Sequence, residues 1–239
     1  MQNPMPLSTP GWMLDERLNA GRENLDAVHV ARYDDKEDAA AEDEVTLLRE
    51  LGLDSASTVI DLGAGTGQLT VAVAPECERV VAVDVSPVMR ERLLAQCAAA
   101  GLTNVFVVDA GFLTYEHLGA PTDFVYSRYA LHHLPDFWKA VALTNLRGMV
   151  RTGGVLRLWD VVYNFELKDA AAHIEAWCAT GGTEVTAEWL RAEMEEHVRD
   201  EHSTFTWLLE PMMERAGFEI ERAEYSADGF SAQYVARAL

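Results

Sequence analysis

The sequence predicts an α/β protein built on a seven-stranded, mostly parallel sheet with helices on both faces. Three observations lead there. Short β-branched runs alternate with helical stretches from Ser57 to Val162. A glycine-rich turn, Asp61-Leu62-Gly63-Ala64-Gly65-Thr66-Gly67, ends the first of those runs. The 239 residues are 49% hydrophobic and 24% charged, ordinary globular usage at a length that buries about 70% of the unfolded surface without disulfides or metal.

Residues 1–52 read as an N-terminal helical arm or lid. Three prolines within residues 1–12 predict an extended start. Leu14, Leu18, Leu25 and Val28 fall near helical spacing, interrupted by Gly21, and predict one or two short helices. Val45, Leu48 and Leu51 form an apolar stripe that stops at Gly52.

Residues 53–239 form the main domain. Ser57–Leu62 is short, β-branched and followed by glycines, as a buried strand should be. Arg79–Asp84 is a second strand; Ser86 then caps a helix with Pro87 at its first position, running to Gly101. Asn104–Val108 and Asp123–Tyr126 are the third and fourth strands. A helix over Pro135–Val150 precedes Gly153-Gly154 and a fifth strand at Val155–Val162.

The alternation then breaks, and about 163–203 reads as an inserted helical cap. Leu167, Ala171, Ile174 and Cys178 make one amphipathic helix, and Gly181-Gly182 ends it. Trp189, Leu190, Met194 and Val198 make another, with Thr186 as its cap. Trp177, Trp189 and Trp207 are expected to fasten this cap to the body. A further helix containing Pro211 stops at Gly217, and strands near 219–226 and 230–238 complete the sheet.

Nineteen Lys plus Arg against 39 Asp plus Glu give a net charge of −20. Such a surface repels phosphodiester backbones and anionic membranes, so nucleic acid is disfavoured as a partner; solubility is the plainer role of the charge. No run of 18 apolar residues spans a membrane, and the N-terminus has neither the basic nor the apolar region of a secretory signal. Three cysteines without a CxxC pair suit neither a disulfide framework nor a zinc motif, and a reducing cytoplasm is expected. His197 and His202, five apart, would point about 140° from each other on a helix and match no HExxH pattern. No metal site is expected.

The glycines of the turn follow a GxGxG spacing, one residue shorter than the dinucleotide fingerprint, and no GKS or GKT follows as in a P-loop. Asp84 ends the second strand, where a carboxylate can accept hydrogen bonds from both ribose hydroxyls. Asp109 ends the third, where one can accept from the exocyclic amine of adenine. Each alone is as readily a capping residue. With Asp61 they place acids at three successive strand ends, the edge where open α/β sheets bind ligands.

The blocks VIDLGAGTGQL, VVAVDVSP, VVDAG, DFVYSRYALHHLPD and GGVLRLWDVV together resemble class I S-adenosylmethionine-dependent methyltransferases, of the small-molecule type related to quinone-biosynthesis enzymes. The resemblance covers residues 57–162 and implies a Rossmann-like sheet whose last strand is antiparallel. It implies S-adenosylmethionine as cofactor, S-adenosylhomocysteine as product and a small-molecule acceptor methylated at oxygen, nitrogen or carbon. Gly63, Ala64, Gly65 and Gly67 would pass beneath the methionine part, with Asp61 steadying the loop or receiving the amino group. Asp84 would hold the ribose, with Val85 and Met89 on the adenine. Asp109 and Ala110 would read the adenine amine beside Gly111 and Phe112. Ser127 and Arg128 would face the sulfonium and the methionine carboxylate, and Tyr33 would close over the cofactor.

The catalytic candidates are His132 or His133, as a base for a phenol, enol or acid, and Asp160 as an alternative base or substrate anchor. The plainer role for the histidine pair is to shape its loop. Competing functions are a non-catalytic binder of the cofactor or its product, methylation of a macromolecule, and a nicotinamide-dependent oxidoreductase, the last opposed by the glycine spacing. Monomer and homodimer are both compatible with the sequence.

Overall fold

In a computed structural model, residues 10–21, 24–30, 39–182 and 190–239 are described. Helix α1 (Ala27–Val30) is one turn, and α2 (Ala41–Glu50) leads into the sheet. The alternation predicted from the sequence follows: β1 (Thr58–Leu62), α3 (Gln68–Val73), β2 (Arg79–Asp84), α4 (Pro87–Ala99), β3 (Val105–Asp109), β4 (Thr122–Arg128), α5 (Asp136–Met149) and β5 (Val150–Tyr163). Then come α6 (Ala170–Cys178), α7 (Arg191–Asp200), the two-residue β6 (Thr204–Phe205), α8 (Thr206–Ala216), β7 (Phe218–Tyr225) and β8 (Ser231–Ala238).

The sheet order is β3-β2-β1-β4-β5-β8-β7, with β6 paired parallel to β5. Strands β3, β2, β1, β4 and β5 run parallel, and β8 is antiparallel to both neighbours. The expected mostly parallel architecture is therefore observed, with β6 as an eighth strand. The strand order reverses between β1 and β4, which opens a crevice at their carboxyl ends, where sheets of this kind bind ligands.

Side chains alternate between two apolar layers because successive strand residues point to opposite faces. Ile60, Val81, Val125 and Leu156 pack with Leu143 and Leu146 of α5 and Met213 of α8. Val59, Val80, Phe124 and Val155 pack on the other face with Val45 and Leu48 of α2 and Leu69 of α3. Helix α2 thus belongs to the main core. It is also held by Glu44, whose two oxygens accept from Arg157 Nε (2.8 Å) and Nη2 (2.6 Å) of β5.

Several boundaries differ from the sequence expectations. Residues 11–20 form turns and bends, and Leu18 is 80% exposed. Leucine spacing there lacks the tertiary face that stabilises a short helix. Strand β5 begins at Val150, because Gly153-Gly154 continue the strand instead of preceding it: a Cβ on Gly154 would fall 2.8 Å from the Asp123 carbonyl oxygen. Trp177 stacks on Phe230 at 4.6 Å and ties α6 to the body as expected. Trp207 is more than half exposed and, among the described residues, stacks on Phe205 alone. Thr186 and Trp189 lie outside the described residues.

Candidate cofactor cleft and buried histidine cluster

A cleft opens at the β1–β4 crevice, the edge where open α/β sheets bind ligands. Its floor is the turn after β1. Gly63 and Gly65 adopt φ of +75° and +54°, the left-handed region that glycine enters without a Cβ clash. Gly63 N and Ala64 N both donate to Val83 O, pinning the turn against β2. A Cβ on Gly65 would meet no protein atom within 4 Å. At Gly67, φ +91°, a Cβ would fall 2.6 Å from Leu93 Cγ, so this glycine serves the packing of α3 against α4.

Asp84 and Asp109 are direct partners in the β2–β3 register. Asp61 pairs with Ala82 and lies one pleat deeper. The three acids are therefore not level, contrary to the sequence expectation. The Asp61 carboxylate is buried and accepts from Thr70 Oγ1 at 2.6 Å, so it braces the turn from below. Burial, with the nearby Asp84 charge adding to it, raises its pKa to about 7 from an ordinary value of 3.8. The folded state thus holds the Asp61 proton more tightly than the unfolded chain does. Its contribution to stability is full below pH 3.8 and is lost as pH rises through about 7. Asp61→Asn is expected to flatten the dependence of melting temperature on pH between 4 and 8, read by thermal melts across that range.

Asp84 lines the cleft. Its Oδ2 accepts from Gly65 N at 2.8 Å and its Oδ1 from Ser86 N at 2.7 Å, so it joins the glycine turn to the start of α4. Burial pushes its carboxyl upward against the pull of those two amides. Asp109 is more exposed and pairs with Arg17 Nη2 (3.0 Å) and Arg90 Nη2 (2.8 Å). Val85, Met89, Ala110, Gly111 and Phe112 complete this side of the cleft.

The N-terminal segment roofs the cleft with residues that the sequence did not reveal. Glu16, Ala20 and Asn24 face it. Glu16 Oε2 accepts from Leu113 N (3.1 Å) and Thr114 Oγ1 (3.2 Å), and its carboxylate fills the space over Gly111 that a Cβ would need. Nothing in the local pattern marks Glu16, because a turn held by one long-range carboxylate has no periodicity. Tyr33, expected as the closing residue, lies outside the described residues.

The opposite wall comes from the end of β4, where Ser127 and Arg128 belong to the strand itself. The Arg128 guanidinium lies over the rings of Tyr129 (4.6 Å) and Trp159 (4.5 Å). Tyr129 has φ +47°, uncommon for a non-glycine residue, at the point where the chain leaves the sheet to wall the cleft. The Ser127 hydroxyl is buried without a hydrogen bond.

The candidate histidines divide. His133 lines the cleft, whereas His132 is buried behind it. His132 Nδ1 donates to Asp160 Oδ1 at 2.5 Å, and His132 N donates to Asp160 Oδ2 at 3.1 Å. Asp160 is thus spent on orienting His132 and does not wall the cleft, which corrects its expected role as base or substrate anchor. Burial opposes charge on His132, but Asp160 and Glu201 outweigh it and raise its pKa to about 10. Held between those two carboxylates behind the cleft, His132 is not available as a base for a substrate in it. Burial and the neighbouring His132 lower His133 to about 3, so it is the neutral imidazole facing the cleft.

These residues suit S-adenosylmethionine on the structure's own terms. The cleft offers acids, Glu16 and Asp84, for a molecule with cationic and hydroxyl groups, one guanidinium for its carboxylate, and an open glycine turn that permits close approach.

Comparison with known proteins agrees with this geometry. Residues 59–154 match the model of a methyltransferase domain family. An uncharacterized methyltransferase of Oceanobacillus iheyensis is 30% identical over 124 residues, 52% of this chain and 55% of that protein. The chain spans little more than half the length of the curated relatives it matches first. An S-adenosylmethionine-dependent methyltransferase from Aquifex aeolicus superposes with a TM-score of 0.62 at 18% identity, over 90% of this chain and 99% of that one. Magnesium protoporphyrin IX methyltransferase from Synechocystis, with S-adenosylhomocysteine bound, superposes with a TM-score of 0.65 at 16% identity, over 94% and 100%. The chain has the Rossmann-like fold shared by these structures, and its residues 59–154 are similar in sequence to a methyltransferase domain.

Proposed function

We propose that this chain is an S-adenosylmethionine-dependent methyltransferase acting on a small molecule. One observation carries the reading: the Asp84 carboxylate, at the end of β2 beside β1, is hydrogen-bonded to the glycine turn that floors the cleft. The domain match over residues 59–154 supports it independently. When bound, the cofactor would supply an electrophilic methyl group for in-line transfer to an acceptor nucleophile, the bond to carbon forming as the carbon–sulfur bond breaks and the neutral thioether leaves.

The protein's part is alignment and exclusion of water, which can contribute about 7–11 kcal/mol of a barrier. Asp84 orients the ribose, Gly63 and Gly65 admit the methionine portion, and Arg128 holds its carboxylate. Glu16, Ala20 and Asn24 cover the cleft, a device that keeps water from the reacting atoms. The roof and the charge of −20 favour a small acceptor over a nucleic acid. The resemblance to quinone-biosynthesis methyltransferases and a cytoplasmic setting belong to the same proposal. Among the described residues, no helix is long and apolar enough to cross a membrane.

Methyl transfer from radiolabelled S-adenosylmethionine into an extract of the source cells tests the reading. Label is expected in the small-molecule fraction. Label in protein or nucleic acid would keep the chemistry and overturn the acceptor class. Binding of the cofactor with no label in any fraction would favour a non-catalytic binding protein.

A further inference from the structure

Behind the cleft, two segments far apart in sequence bring three histidines and a glutamate together. His132 and His133 sit on the single turn after β4, Leu131–His133. His197 is in the last turn of α7, and Glu201 follows that helix directly. One ligand atom each from His132, His133 and Glu201 lie within 4.8 Å of one another. His132 Nε2 is 3.1 Å from Glu201 Oε2, and His197 Nδ1 approaches the same oxygen. Neither contact has hydrogen-bond geometry, and Oε2 is buried without a hydrogen bond. His133 Nε2 lies 3.4 Å from Asn24 Nδ2, while its Nδ1 is buried and makes no hydrogen bond.

We propose that His132, His133 and Glu201, with His197 as a fourth donor, bind a divalent transition-metal ion of the zinc class at the inner wall of the cleft. Imidazole nitrogens with one carboxylate select zinc, cobalt or ferrous iron over magnesium or calcium, which prefer all-oxygen shells. Ligands at about 2.0–2.2 Å from such an ion stand about 3.0–3.5 Å apart. The His132–Glu201 separation already meets this, and a ligand atom of His133 lies within 4.8 Å of both. The outer contacts are those of metal-binding histidines, which hand their second nitrogen to a carboxylate or hydroxyl. His132 Nδ1 has Asp160 Oδ1 at 2.5 Å, and His197 Nε2 has Ser203 Oγ at 2.9 Å.

The competing arrangement is a closed ion-pair network, with a protonated His132 between Asp160 and Glu201. It explains those three side chains but gives no partner to His133 Nδ1. The metal site uses all of them. It joins the sheet's edge to the α7 segment and, through His133, places the ion beside Tyr129 and Ala130 in the cleft wall. The site stands whether or not the chain transfers methyl groups, and its test reads the metal directly.

The full chain, stripped with chelator, is titrated with cobalt(II) and followed by visible absorption, then challenged with zinc. One equivalent is expected to bind with intense bands of four- or five-coordinate cobalt, displaced by zinc. His133→Ala and Glu201→Gln should each weaken binding at least about 10-fold, and Asp160→Asn, a positioning change, about 10–100-fold. His117→Ala, outside the cluster, should bind as the parent does. A wild-type spectrum that stays that of hydrated cobalt overturns the proposal and leaves the ion-pair network; this result needs no variant to fold. Stoichiometric binding unchanged in His133→Ala and Glu201→Gln, both folded by circular dichroism, overturns it as well.

Discussion

Replacing Asp84 by alanine is expected to weaken S-adenosylmethionine binding about 10–150-fold, the equivalent of about 1.5–3 kcal/mol for a charged hydrogen bond. The structure gives two reasons for an effect of this size. The carboxylate is the acid proposed to hold the ribose, and it accepts from Gly65 N and Ser86 N. Its loss leaves two amides without an acceptor and frees the turn that floors the cleft. Asp84→Asn should lose most of the same affinity, because its NH2 group would face one of those N–H donors. Calorimetric titration with the cofactor, on variants shown folded by thermal melting, makes the measurement. Unchanged affinity in a folded Asp84→Ala protein would remove the ribose assignment and, with it, the observation on which the proposed function rests.

Gly63→Ala is expected to cost about 2–5 kcal/mol of stability, from about 1–2 for the left-handed backbone and about 1–3 for overpacking. Gly63 has φ +75°, and its Cβ would stand 2.3 Å from Ala130 Cβ. Those two residues belong to the two turns that flank the crevice, so relief of the clash must separate β1 from β4 at the ligand edge. For a chain of this length, melting should fall by about 4–20 °C. Gly65→Ala isolates the other half of the effect. Its φ of +54° carries strain, but no protein atom lies within 4 Å of the added methyl. It should cost only about 1–2 kcal/mol of stability and chiefly impair cofactor binding, since the methyl projects into the cleft. Equal melting temperatures for Gly63→Ala and the parent would show that the Ala130 turn gives way freely.

What was legible in the sequence was what local chemistry controls. Strand and helix alternation, the left-handed glycines and the Ser86-Pro87 helix start all follow from backbone sterics within a few residues. So does the placement of Asp84 and Asp109 each at the end of its own strand. The histidine cluster was not legible in this way: the His197–His202 spacing pointed away from it, and nothing local set Glu201 apart.

The tertiary structure decided which candidates meet. It set Asp61 one pleat below the other acids, a matter of register that no strand encodes alone. It turned Asp160 toward His132 and away from the cleft, and left His133 as the imidazole that faces it. It brought Glu16 across nearly a hundred residues onto Thr114, and Glu201 onto His132. Such contacts are made by side chains whose own segments carry no periodic signal. Their positions follow from how the strands and their flanking turns are packed, so sequence spacing alone determines the elements and the glycine turn, and packing determines the site.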